Sequence, residues 1–196
     1  SHEDIGVESW YAYGGTRNTT IDKTQYAPGE LIELRNITIE NIGRHDVNNV
    51  KLRAFLDPGD DLYMLLTNNI LDLSKIPQDR LLYPAFYNVG PILHREYWVG
   101  TVTFQIPYTI PSGTYRVHLV VTPDNDNVLW EDATHKNNHT FMHDTIEVVC
   151  PKPAAPGNFK KISADAGGVT LGWGAVANGK YYEVKRQKKS GGTDET

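Results

Sequence analysis

Gly113-Thr114-Tyr115-Arg116-Val117-His118-Leu119-Val120-Val121-Thr122-Pro123 is the stretch that decides the fold of this chain. It is rich in β-branched and aromatic residues and ends at a proline. In an extended chain successive side chains point to opposite faces, so Tyr115, Val117, Leu119 and Val121 share one face. They read as core residues rather than as a ligand box.

Working outward, the same kind of stretch recurs every ten or so positions, separated by Pro, Gly, Asn and Asp. No amphipathic helix with caps at both ends appears before residue 150. This is an all-β pattern, with strands expected at about 5–13, 31–41, 48–57, 62–67, 97–107, 114–123 and 139–149. Seven strands suit two packed sheets, a β-sandwich. Val50, Leu52, Ala54 and Leu56 form a second inward face, and Val102, Phe104 and Ile106 a third. On the 31–41 strand Ile32 and Leu34 hold even positions but Ile37 and Ile39 odd ones. A β-bulge near Arg35 and Asn36 would keep both pairs inward.

Residues 68–96 are too long for an ordinary sandwich connection and contain Tyr83, Phe86, Tyr87, Pro77, Pro84 and Pro91. Long loops are uncommon unless functional or locally folded. Asp72-Leu73-Ser74-Lys75 suggests one helical turn within it. Pro151-Lys152-Pro153-Ala154-Ala155-Pro156-Gly157-Asn158 reads as a stiff, extended linker. The expected organisation is therefore a sandwich over 1–149, a linker over 150–158 and a second, incomplete β-domain over 159–196.

Charge divides at the same place. Residues 151–196 carry eight Lys/Arg against four Asp/Glu, and residues 1–150 carry eleven against twenty, so the body is −9 and the tail +4. An acidic body repels phosphate backbones, which argues against nucleic acid as a partner. No run approaches the roughly 18 apolar residues of a membrane span, and Ser1-His2-Glu3-Asp4 lacks the features of a signal peptide. The chain is expected to begin inside a larger protein or after processing. Cys150, the one cysteine, has no internal partner and sits beside linker prolines. No Gly-flanked Ser elbow or phosphate loop occurs, so the chain is read as non-catalytic.

Two groups of residues are candidate sites. Asp124-Asn125-Asp126-Asn127, followed by Glu131 and Asp132, gathers oxygen-bearing side chains at a turn in the way hard-cation sites do. Calcium is the cofactor that Asp124, Asp126, Glu131 and Asp132 would suit, although Asp and Asn also favour turns by bonding their own backbone. Asp57-Pro58-Gly59-Asp60-Asp61 is a second acidic turn whose carboxylates are expected to stay solvated. Trp10, Tyr83, Phe86, Tyr87 and Trp98 form the other group, an aromatic supply that could stack on sugar rings, anchor a protein, or pack the long loop onto the sheet. His135, His139 and His143 recur every four residues. In a strand that spacing separates neighbours by roughly 13 Å, too far for a shared zinc.

Pro28-Gly29-Glu30, the strand ending in Asn41-Ile42-Gly43, Asn49-Val50-Lys51-Leu52, and Gly113-Thr114-Tyr115 through Asn137-Asn138 together resemble the CARDB family, the cell-adhesion-related domain of bacteria. The resemblance spans roughly residues 5–149. It implies an immunoglobulin-like sandwich of about seven strands, here with a long inserted loop, in a secreted or cell-surface bacterial protein. Where the family's ending carries acidic residues, this chain has Thr122 and, approximately, His135. Pro156, Phe159, Val169-Thr170-Leu171-Gly172-Trp173 and Tyr181-Tyr182-Glu183-Val184-Lys185-Arg186 resemble the opening strands of a fibronectin type III domain, whose core tryptophan would be Trp173. Three such strands without a partner sheet would expose Leu171 and Trp173.

These readings imply an adhesion, interaction or spacer module of a larger secreted or surface protein. Its partners would be a protein or glycan at a surface and the neighbouring domains of the same polypeptide. A carbohydrate-binding module of a glycan-active enzyme and an accessory C-terminal region of a secreted protease are the alternatives.

Overall fold

The computed structural model describes residues 5–7, 18–68, 70–123, 137–151, 155–176 and 183–184. The chain divides into two compact units, Ser1–Cys150 and Pro151–Thr196.

The first unit is built from two sheets. In one, β4 (Leu31–Asn41) is flanked on one side by β1 (Ile5–Val7) and β2 (Thr20–Ile21), and on the other by β9 (Tyr97–Gln105). The other runs in the order β3 (Gln25–Tyr26), β11 (His139–Val148), β10 (Gly113–Thr122), β5 (Val47–Asp57), β8 (Tyr87–Ile92). All pairings in these sheets are antiparallel except that of β3 with β11. Tyr115 on β10 donates its hydroxyl to the carbonyl of Pro111 at 3.0 Å, the tyrosine corner of immunoglobulin-like sandwiches. Strand order, the parallel β3 and this corner make the unit an all-β, immunoglobulin-like sandwich.

The inward faces are those the alternation implies. Val50, Leu52, Ala54, Leu56, Val102, Phe104, Ile106, Tyr115, Val117, Leu119 and Val121 all lie in one buried cluster. The bulge on β4 is present as well: register with β9 shifts between Leu34 and Ile37, and Asn36 takes φ 57°. Asparagine tolerates the left-handed region better than most residues, so Ile37 and Ile39 return to the core at small cost.

The quoted motifs have structural duties. Gly29 takes φ 81° beneath the Tyr108 ring, and a Cβ there would fall 2.2 Å from that ring. Glu30 accepts from the Ala27 amide at 2.7 Å, closing the turn before β4. Asn41 is buried and ties the far end: its amide donates to the carbonyls of His45 and Ile92, and its oxygen accepts from Gly43 N–H.

Residues 62–96 depart most from expectation. Only Leu66–Thr67 (β6) of the expected 62–67 strand is extended, pairing with β7 (Ile70–Leu71). Asp61 accepts from the Tyr63 amide at 2.7 Å, which turns the chain and sends Leu65 inward. The helical turn is a 3₁₀ turn, Leu73–Lys75, with Asp72 accepting from Ser74 N–H. Leu65, Leu71 and Ile76 then pack with Phe55 and Val120 in a second cluster. The supposed loop is therefore a cover for the outer face of the five-stranded sheet and also supplies that sheet's edge strand.

In the second unit β12 (Lys160–Asp165) and β13 (Gly168–Gly172) form an antiparallel hairpin. Asp165 accepts from the amides of Gly167 and Gly168 at its turn. All of β12 is exposed, and Trp173 stacks on Phe159 while remaining 36% exposed.

Candidate functional site

The segment from Arg80 to Ile92 positions most of the candidate aromatic side chains. It runs antiparallel to β5 at both ends: Leu56 N–H donates to the Arg80 carbonyl, Leu82 N–H to the Ala54 carbonyl, and β8 resumes the pairing at Tyr87. Between these points the chain steps across to the other sheet. Tyr83 exchanges two backbone hydrogen bonds with Gln105, at 2.9 and 2.7 Å. Pro84 and Pro91 have no N–H to donate, which suits a segment at a sheet edge.

The excursion spreads the aromatic side chains along one seam of the sandwich. Tyr83 is 69% exposed. Phe86 is exposed, with the Lys51 ammonium 4.9 Å and the Arg53 guanidinium 5.5 Å from its centroid. Tyr87 is exposed and meets Trp98 at 6.5 Å with 39° between the planes. Trp98 is half-buried, packs on the inner core and lies over Gly100, where a Cβ would come within 2.1 Å of the indole. A glycine is needed there for the indole to lie flat on the strand. Trp10 lies outside the described residues.

Asp124, Asp126, Glu131 and Asp132, the calcium candidates, also lie outside the described residues, as does His135. The second acidic turn differs from expectation at Asp57. Its carboxylate is taken by Arg80 at 2.7 Å and by the Gly59 amide at 2.9 Å, leaving its side chain 13% exposed. Asp60 and Asp61 are exposed as expected, whereas Asp57 has become an anchor, because the 77–82 segment brings a guanidinium to it. Among the described residues no group of three or more His, Cys, Asp and Glu side chains is placed to hold a metal.

A site that spacing did not reveal lies under this turn. His118 on β10 and His139 on β11 are buried to 0% and 2% exposure. His118 Nδ1 lies 2.8 Å from His139 Nε2. The outer nitrogens face two carbonyls: His118 Nε2 that of Gly59 and His139 Nδ1 that of Leu62, each at 2.9 Å. Phe55 stacks on His118 at 4.9 Å, and Phe141 lies 5.8 Å away. Burial lowers the pKa of both rings, and for His139, pushed down to about 3, repulsion from His118 adds to it. His143, third of the four-residue series, is exposed on β11. The one legible signal was His118 itself, a polar residue within an otherwise apolar run. Its partner becomes visible only through register, which sets His118 opposite Phe141 and Val120 opposite His139. The two histidines are diagonal neighbours on one face.

No family model and no curated protein matches the chain. Among solved structures it is similar to the CARDB domain of a Pyrococcus furiosus protein in complex with di-metal ions. The identity is 16% and the TM-score 0.41, over 76% of this chain and 90% of that one. It is also similar to a sporulation control protein of Bacillus subtilis, at 15% identity and TM-score 0.33, over 77% of this chain and 51% of that one. A Niemann-Pick type C2 protein from the Japanese carpenter ant shares 13% identity at TM-score 0.33, over 76% and 94%. At these values the likenesses carry no inference about activity, and the assignment as a sandwich rests on the strand pairing described above. Among the described residues no helix is long and apolar enough to cross a membrane.

Proposed function

We propose that this chain is a non-catalytic interaction or spacer module of a larger secreted or cell-surface bacterial protein, with its partner surface on the seam formed by Tyr83, Phe86 and Tyr87. The observation that carries this reading is that the long 68–96 segment is folded onto the sandwich and still leaves those three rings exposed. Aromatic side chains held on a rigid framework lose little conformational freedom on binding, which makes them effective anchors for a protein partner. Lys51 and Arg53 lie over the Phe86 ring and help hold it in place at this surface. The second unit is read as the opening strands of a fibronectin type III domain, a reading supported by the β12–β13 hairpin and the Phe159–Trp173 stack.

A sugar-binding module is the second reading, favoured by the exposure of Tyr83. Sugar platforms need ring planes aligned along the glycan, whereas Tyr87 and Trp98 meet at 39°. Tryptophan fluorescence titrated with a panel of soluble β-glucan, chitin and peptidoglycan fragments separates the two. An interaction module leaves the spectrum unchanged, and a saturable change abolished by Tyr83→Ala overturns that reading in favour of the glycan. In the parent protein, Tyr83→Ala combined with Phe86→Ala should lower surface attachment at least tenfold without changing the melting temperature of the domain. Unchanged attachment would remove the seam as the partner surface.

A further inference from the structure

Four ring nitrogens stand in a line between two carbonyl oxygens, from Gly59 through His118 and His139 to Leu62. A carbonyl accepts and never donates, so each outer nitrogen must carry a hydrogen to bond it. The inner contact at 2.8 Å has room for one hydrogen, because two would point at each other and none would set lone pair against lone pair. The closed arrangement therefore holds three ring protons, one imidazolium hydrogen-bonded to one neutral ring. Two fully charged imidazoles hold four.

The surroundings prevent any other outcome while the site stays closed. Phe55 and Phe141 cover the rings, and exposure of 0% and 2% keeps both out of contact with bulk solvent. Among the described charged groups, Asp57 on β5 and Asp60 in the turn favour a charge on His118, Arg116 on β10 opposes it, and His118 is itself the charge that acts on His139. Arg80 already binds Asp57, so that carboxylate is engaged before a second imidazolium could form. His143 on β11 is exposed to solvent, outside the line of nitrogens.

The two carbonyls belong to the turn that leads into the outer cluster of Leu65, Leu71, Ile76, Phe55 and Val120. We propose that the His118–His139 pair is an acid-released latch, which holds residues 57–67 against the five-stranded sheet at neutral pH and frees them under mildly acidic conditions. The sign follows from proton counting. Exposed histidines titrate near 6.5, so well below that pH an opened pair carries four ring protons and the closed pair three. Below about 6.5 opening thus binds up to one proton more than remaining closed, and falling pH drives it. Release uncovers Phe55, Leu65 and Val120, an apolar surface that neutral conditions keep dry.

Amide hydrogen exchange of the whole chain, corrected for the intrinsic pH dependence, tests this between pH 6.8 and 5.0. That window lies above the ordinary carboxylate range. The backbone amides of Leu66 and Asp72, which donate to the Tyr63 and Leu65 carbonyls, should lose protection on the order of tenfold across the window, while those of β4 and β9 remain constant. Nitrogen-15 spectra of the histidine side chains provide the second readout. They should show one shared imidazolium proton while the turn is closed and a second imidazolium only as it opens. His139→Gln should abolish the pH dependence whatever it does to overall stability. Constant protection of the turn across the window, or two imidazolium signals with the turn still closed, would overturn the latch.

Discussion

The two sheets of the sandwich have opposite outer faces. That of the four-stranded sheet shows Glu33, Arg35, Thr38 and Glu40 on β4 beside Tyr97, Val99, Thr101 and Thr103 on β9, and none of these is buried. That of the five-stranded sheet carries Phe55, His118, Val120, His139 and Phe141, all buried. An antiparallel sheet with one wet face needs strict alternation, which β9 displays from Gly100 to Phe104. A sheet covered on both faces can be buried throughout, as β10 is from Val117 to Val121. The insertion between β5 and β8 exists because β5 and β10 have something to bury on both sides. A near-continuous apolar run in a sandwich strand therefore signals a cover supplied from elsewhere in the chain.

Substitutions in the inner core, the outer cluster and the wet face should differ in cost. The largest effect is expected in the inner core, where Phe104→Ala should lower unfolding free energy by about 3–5 kcal/mol, measured by urea denaturation of the whole domain. In the outer cluster Leu65→Ala should cost about 2 kcal/mol, at the low end of its class, because a surface turn can settle into the gap. Its signature is regional: hydrogen exchange should accelerate across 57–76 more than in β4 or β9. Equal acceleration everywhere would mean that the two clusters unfold as one. The smallest effect belongs to the wet face, where Thr101→Ala should change stability by no more than about 0.5 kcal/mol in the same denaturation experiment. A cost above 1 kcal/mol would show that this face too is covered in solution.

Much of this architecture is legible in the residues. The inward faces of β5, β9 and β10 follow from alternation, and the bulge at Asn36 follows from a change of phase between Leu34 and Ile37. The helical turn at Leu73–Lys75 follows from Asp72, whose carboxylate satisfies the turn's own amide. Strand β8 was hidden because Asn88, Gly90 and Pro91 are poor strand formers, tolerated here because β8 is an edge. Asp57 was misread as solvated because nothing local announces Arg80 as its partner.

Strand identity, the phase of each inward face and the charge contrast between body and tail are local properties, and the sequence by itself determined them. Which carbonyls meet His118 and His139, how the 80–92 segment joins both sheets, and which aromatic rings remain exposed were decided only by tertiary structure. The physical reason is that a side chain's facing is set by its immediate neighbours along the strand. Its partner is set by register between strands far apart in the chain, and that register is chosen by the burial of all of them together.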